Sequence, residues 1–82
     1  MIDKETVLQA LEPYVAGFES DGSKMEQVEI NGNEVYVKIV VYPGGCRECI
    51  LPADYLQDMF KESMGDAGID DVQVRVEIED RS

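Results

Sequence analysis

Residues 28–42 read VEINGNEVYVKIVVY, which is the pattern of a β-hairpin. The segment Asn31-Gly32-Asn33 suits a tight turn, because asparagine and glycine both tolerate positive φ. After the turn, apolar residues recur at the strand period of two. They occupy Val35, Val37, Ile39 and Val41. The stretch therefore predicts two antiparallel strands, the second with this apolar set against the core.

The strand before the turn is predicted to contain a bulge. Its apolar residues are Met25, Val28 and Ile30, and the first is out of phase with the others by one residue. A bulge between Met25 and Val28 would bring all three onto one face of the sheet. The last strand alternates regularly and predicts one dry face and one wet face. Its apolar residues are Val72, Val74, Val76 and Ile78.

An amphipathic helix is predicted near the start of the chain. Asp3 is the expected N-cap, and apolar residues then recur at helical spacing. They are Val7, Leu8, Leu11, Val15 and Phe18. Pro13 lacks a backbone donor and crowds the preceding turn, so it predicts a kink or a break near Glu12. Gly17 is the expected terminator of this helix.

A second helix is predicted to begin near Pro52, which suits a first helical turn, and to end at Gly65 as the C′ residue. The order of elements is then α-β-β-α-β in a single domain of residues 1–82. It predicts an α+β fold, a two-layer α/β sandwich with two helices packed on one face of a three-stranded mixed sheet. The crossover through the second helix predicts a last strand parallel to the second. The pattern leaves open whether that strand lies beside the first or the second.

The composition limits the functions that this chain can have. Its net charge is −11, with 18 acidic and seven basic residues, which argues against nucleic acid and anionic membranes as partners. No apolar run approaches the roughly 18 residues of a membrane span, and the N-terminus lacks the features of a signal peptide. A cytoplasmic location is therefore expected. The lack of histidine removes Ser-His-Asp and Cys-His catalytic pairs, and no carboxylate pair stands out, so an enzyme is not expected.

The two cysteines of the chain, Cys46 and Cys49, form a C-x-x-C motif. In a reducing compartment, this motif indicates metal binding or redox chemistry before it indicates a structural disulfide. A tetrathiolate metal site needs four ligands, whereas this chain offers two thiolates and no histidine. A metal centre would therefore need a second copy of the chain, or another protein, to supply the rest.

The residues around the motif favour a thiolate site. Gly44-Gly45 allows close approach of the backbone and can leave N–H groups free to point at sulfur. Arg47 and the helix start near Pro52 add positive charge, which favours thiolates and an anionic cluster. Ile50-Leu51 is expected to shield one side of the site from water.

Several short motifs follow one another between about Thr6 and Ile78. They are Leu11-Glu12-Pro13-Tyr14, Ser20-Asp21-Gly22, Val28-Glu29-Ile30-Asn31-Gly32-Asn33, Val35-Tyr36-Val37-Lys38, Gly45-Cys46-Arg47-Glu48-Cys49 and the closing valine-rich strand. In their order and spacing, the chain resembles the C-terminal domain of NifU and the related Nfu iron–sulfur scaffold and carrier proteins.

This resemblance implies a function as well as a fold. In that family, the C-x-x-C pairs of two subunits together hold a 4Fe-4S cluster, which is then delivered to apoproteins. The matching residues are Cys46 and Cys49, which would be the metal and cofactor ligands. The implied partners are a second copy, held through the cysteine loop when metal is bound, and the apoproteins that receive the cluster. Without metal, a monomer is expected.

Three other interpretations stay open. A thioredoxin-like site usually has an aromatic residue just before the C-x-x-C pair and a cis-proline facing it, whereas glycines precede Cys46. A reversible disulfide between Cys46 and Cys49 nevertheless remains an alternative. Four thiolates from a dimer would hold zinc as readily as iron. The third interpretation is a metal-free acidic interaction module that keeps the same fold, with its cysteines as small buried residues.

Overall fold

The computed structural model describes residues 2–81, apart from the side chain of Arg47. Its elements follow the order α1 (Lys4–Ser20), β1 (Ser23–Asn31), β2 (Glu34–Val41), a 3₁₀ turn (Arg47–Cys49), α2 (Ala53–Asp66) and β3 (Gln73–Asp80). This order confirms the predicted α+β class and the α-β-β-α-β succession. Across residues 2–81, neither helix combines the length and the apolar character that crossing a membrane requires.

The three strands form one mixed sheet with β2 at its centre. β1 pairs antiparallel with one edge of β2, as the hairpin pattern predicts, and β3 pairs parallel with the other edge. Val37 of β2, for example, lies opposite Val28 of β1 and Val76 of β3. The structure thus decides what the sequence pattern leaves open, because β3 lies beside β2 and not beside β1.

The predicted bulge in β1 is present. Met25 pairs with Ile39, whereas Gln27 pairs with Lys38, so Glu26 is the extra residue on the β1 side. The extra residue changes the phase of the strand. Met25 is thereby returned to the inner face, where it packs against the core together with Val28.

The core lies between the sheet and the two helices, which pack on the same face. Each helix contributes three buried side chains: Val7, Leu11 and Phe18 from α1, and Leu56, Phe60 and Met64 from α2. Phe60 is fully buried, and its ring meets the rings of Tyr14 and Phe18 edge-on at centroid distances of 5.0 and 6.4 Å. Burying a side chain of this size contributes about 1.5–3 kcal/mol, so this aromatic cluster holds α1 against α2.

Helix α1 begins where the sequence predicts but runs further than predicted. The Asp3 side chain accepts a backbone N–H of the first turn at 3.2 Å, as expected for an N-cap. Of the kink or break predicted near Glu12, the break is absent, and the predicted end at Gly17 is wrong, since the helix continues to Ser20. Pro13 and Gln9 are both exposed, so water can bind the Gln9 carbonyl that loses its helical partner.

Helix α2 also ends later than predicted. Gly65 lies inside the helix, and the C′ residue is Gly68, whose φ is 90°. The Gly68 N–H donates to the Gly65 carbonyl at 3.1 Å, and the Ile69 N–H donates to the Met64 carbonyl at 2.8 Å. These are the two hydrogen bonds of a Schellman motif. Ile69 and Met64 both belong to the core cluster, and their burial favours termination at Gly68 over Gly65.

The outer face of the sheet carries charged residues and two tyrosines. The Arg75 guanidinium lies 5.6 Å from the centre of the Tyr36 ring, and the Arg81 guanidinium lies 6.0 Å from the centre of the Tyr42 ring. The Tyr36 hydroxyl donates to the Glu77 carboxylate, and this hydrogen bond raises the pKa of Tyr36. The two rings are therefore engaged by their neighbours on the sheet and do not form a free apolar patch.

The two glycines near the end of α2 provide a matched test of this helix terminus. Gly65→Ala is expected to raise the free energy of unfolding by about 0.5–1 kcal/mol, because alanine is the better helix former. Gly68→Ala is expected to lower it by about 1–2 kcal/mol, because alanine is strained at positive φ. Urea unfolding followed by circular dichroism measures both changes. Equal effects of the same sign would contradict the observed end of the helix.

Candidate functional site

The candidate site is the loop of residues 42–52, which joins β2 to α2 and is called the cysteine loop below. It starts with a tight turn, in which the Gly45 N–H donates to the Tyr42 carbonyl at 2.8 Å. Pro43 stands at the second position of this turn, and Gly44, with φ of 87°, stands at the third. This is the residue pattern of a type II turn. The chain therefore reverses sharply at the end of β2 and leads directly into the first cysteine.

The cysteine loop is held against the turn that follows α1. The Cys46 N–H donates to the Asp21 carbonyl at 2.8 Å, and the Tyr42 N–H donates to the Gly22 carbonyl at 3.1 Å. The backbones of Gly22 and Gly45 touch at this point. A Cβ atom at Gly45 would lie 2.5 Å from the Gly22 carbonyl oxygen, and one at Gly22 would lie 2.6 Å from the Gly45 Cα. Only glycine fits at these two positions without displacing the backbone.

This contact was not predicted from the sequence. Ser20-Asp21-Gly22 signals a turn and Gly45 signals backbone freedom, but neither signal says that the two segments meet. Within the tight turn, the Gly45 N–H is not free to point at sulfur, because the Tyr42 carbonyl accepts it. The Cys46 N–H is likewise occupied by the Asp21 carbonyl. Gly22 and Gly45 thus allow close packing of the backbone. The expectation of a free N–H group is wrong for Gly45.

The two predicted site residues lie side by side. Cys46 and Cys49 are joined as a disulfide, with their Cα atoms 5.3 Å apart, and the Cys49 N–H donates to the Cys46 carbonyl at 3.2 Å. Cys46 is half-buried, whereas Cys49 is exposed. The sulfur atoms must be reduced before they can bind a metal, because the thiolate is the ligand form of cysteine.

The residues after the motif fix the loop to the core. Ile50 is buried and belongs to the core cluster, so it anchors the loop. Leu51 is 43% exposed and remains available beside Cys49. Helix α2 starts at Ala53, which confirms the predicted start near Pro52. The side chain of Arg47 lies outside the described part of the chain, so its contribution of positive charge stays a prediction.

The described residues of one chain do not form a complete metal site. Among the described residues, no group of three or more cysteine, aspartate, glutamate or histidine side chains is placed to hold an ion. One chain therefore offers two adjacent thiols once Cys46 and Cys49 are reduced. Two thiolates on one exposed turn fit half of a tetrathiolate site, and a second protein surface would have to complete it.

Comparison with known proteins found no protein-family model, no curated protein and no solved structure that matches this chain.

The contact between Gly22 and Gly45 yields a test of how the loop is held. Gly45→Ala is expected to lower the free energy of unfolding by about 1–3 kcal/mol, because the added methyl overlaps the Gly22 carbonyl. The control is Gly17→Ala, where an added Cβ meets no atom within 4 Å and the free energy should rise by about 0.5–1 kcal/mol. Urea unfolding and hydrogen exchange of the Cys46 amide measure the change. A neutral Gly45→Ala with an equally protected Cys46 amide would show that the contact is loose.

Proposed function

We propose that this protein is an iron–sulfur cluster scaffold or carrier. In this proposal, Cys46 and Cys49 of two subunits hold one 4Fe-4S cluster, which is cargo that the dimer passes to apoproteins. The observation that carries the proposal is the pair of adjacent cysteines on one surface turn, with no third ligand nearby in the described part of the chain. A site that is half complete in one chain suits a cluster shared by two.

The chemistry of the cysteine loop supports such a role. Thiolates are the usual ligands of iron–sulfur clusters. Cys49 is exposed, so the thiolates of a second protein can approach it directly. Because each subunit would supply two ligands, release from one subunit would require exchange of only two thiolates. The start of α2 at Ala53 adds the partial positive charge of a helix N-terminus, which favours an anionic cluster.

The fold also supports a preorganised site. The hydrogen bond from Cys46 to the Asp21 carbonyl and the burial of Ile50 fix the chain on both sides of the motif. Ligands that are held in place before binding lose less conformational freedom when a metal arrives. The loop can therefore present two thiolates together, without first having to fold.

A second function is favoured by one specific observation, the disulfide between Cys46 and Cys49. A protein with such a pair can exchange disulfides: two thiols of a substrate become a disulfide while the Cys46–Cys49 bond is reduced to two thiols. Attack on a disulfide needs an accessible sulfur, and exposed Cys49 meets this requirement better than half-buried Cys46. We rank this function second because the glycines before Cys46 and the lack of a cis peptide bond in the described part of the chain are unlike a thioredoxin site.

Anaerobic reconstitution with ferrous iron and sulfide tests the first function. The reduced protein is expected to gain visible absorption, to bind about two irons per chain and to become a dimer, because four thiolates hold one 4Fe-4S cluster. Cys46→Ser and Cys49→Ser should each lose the cluster while keeping their circular dichroism spectrum. The oxidised protein serves as a control and should remain colourless, because its sulfurs are not thiolates.

Two results of this experiment would replace the proposal. A colourless protein that retains zinc through both cysteines would indicate a zinc site. A reduced wild type that remains monomeric and binds no metal would indicate an interaction domain that has no metal function.

The disulfide potential tests the second function. A redox protein is expected to have a potential of about −180 to −270 mV, in the range of cellular thiol–disulfide couples. It is measured by equilibration with glutathione, with alkylation of the free thiols and mass spectrometry. A potential below about −300 mV would indicate a structural bond and remove the redox function.

A further inference from the structure

A groove of about 200 Å³ lies between α1 and α2 and reaches the cysteine loop. Its walls are mainly apolar, with Pro13 and Gly17 from α1, Met59 from α2 and Leu51 from the loop. Cys49 lines the same groove. Any group that occupies this groove would therefore lie directly beside one of the two candidate ligands.

The size of the groove limits its occupant. Pockets for drug-sized molecules usually measure about 300–1,000 Å³, and this one is smaller and open to solvent. A groove of this size accommodates an apolar side chain or two from another protein. Leu51, which is 43% exposed, extends the apolar surface at the rim beside Cys49.

The charge of the chain is divided unequally between its two layers. Residues 3–21 and 46–71, which contain both helices and the cysteine motif, hold twelve of the 18 acidic residues and three of the seven basic ones. The strand segments hold the other six acidic and four basic residues. On the sheet, Lys38 pairs with Glu79 at 3.4 Å and Arg81 pairs with the same carboxylate. The helical layer, in which the groove lies, therefore carries most of the net negative charge.

The lining of the groove is also acidic, since its charged residue is Asp21. In the metal-free protein, a second copy of the chain is a poor occupant, because its own helical layer would bring the same excess of acidic groups to the contact and no cluster holds the two cysteine loops together. A basic surface would instead be attracted to this side of the molecule, and attraction of this kind raises association rates.

We propose that the groove binds a basic segment of a partner protein. An apolar side chain of that segment fills the groove between Gly17 and Met59, and its lysine or arginine side chains face the surrounding acidic residues. This proposal rests on the proposed function for the identity of the partner, which is then the apoprotein that receives the cluster. The position of the groove places such a partner against Cys49.

Peptide binding to the reduced, metal-free protein tests the proposal. The probe is a synthetic helical peptide of lysine and leucine with its leucines along one face, and the comparison peptide is oligolysine of equal charge. Amide shifts in nuclear magnetic resonance spectra should concentrate at Gly17, Asp21, Leu51 and Met59. Oligolysine should bind about 10-fold more weakly, because it has no apolar side chain to bury.

Two glycine variants provide a matched comparison. Gly17 and Gly65 both lie in helices, and a Cβ atom at either meets no atom within 4 Å, so a side chain can leave the backbone at both positions without a clash. Each substitution adds one positive charge, but only Gly17 lines the groove. Gly17→Lys should weaken peptide binding about 10-fold, whereas Gly65→Lys should weaken it about twofold or less. Equal losses would show that only general charge attraction is present.

The remaining outcomes also decide between occupants. Equal affinity for both peptides, with shifts spread along both helices, would overturn the proposal. Concentration-dependent shifts at the groove without any peptide would identify a second copy as the occupant and would overturn the proposal as well.

Iron loading is measured on separate samples, so the docking surface and the proposed function can fail independently. A protein that binds the peptide at the groove but no cluster keeps the docking surface and loses the proposed function.

Discussion

The backbone contact between Gly22 and Gly45 is the constraint on which the cysteine loop depends. It allows the Cys46 N–H to reach the Asp21 carbonyl at 2.8 Å, which fixes the first cysteine relative to the end of α1. A side chain at either glycine would enter space that the other backbone occupies. Because main-chain atoms alone make this contact, it does not require a bond between the sulfurs of Cys46 and Cys49.

The topology of the sheet explains why several segments meet at this place. β2 is central, and β3 runs parallel to it after the crossover through α2. The cysteine loop therefore leaves the carboxyl end of a strand with a parallel neighbour, which is a common position for binding sites in folds with parallel strands. β3 finishes at the same end of the sheet, where the Arg81 N–H donates to the Val41 carbonyl at 2.8 Å. The end of α1, the end of β2 and the start of α2 thus converge around Cys46.

The two layers of the sandwich differ in how their charges are used. On the outer face of the sheet, charged side chains pair with one another. Glu79 binds both Lys38 and Arg81, and the hydrogen bond from Arg81 lowers the pKa of Glu79. The helical layer has a large excess of acidic over basic residues. This division of charge directs the long-range attraction of basic molecules to the helical side of the protein. That side also carries the groove beside Cys49.

The sequence by itself determined the elements that depend on neighbouring residues: the hairpin at Asn31–Asn33, the bulge that returns Met25 to the core, the N-cap Asp3 and the C-x-x-C pair. It misplaced the ends of both helices, because a glycine inside a helix costs only about 1 kcal/mol and the burial of Phe18 or Ile69 outweighs that cost. Only the tertiary structure decided that β3 lies beside β2, that Gly22 meets Gly45 and that Cys49 opens onto a groove. Those contacts join residues that are far apart in the chain. Packing of whole elements brings these residues together, and no local sequence pattern encodes that packing.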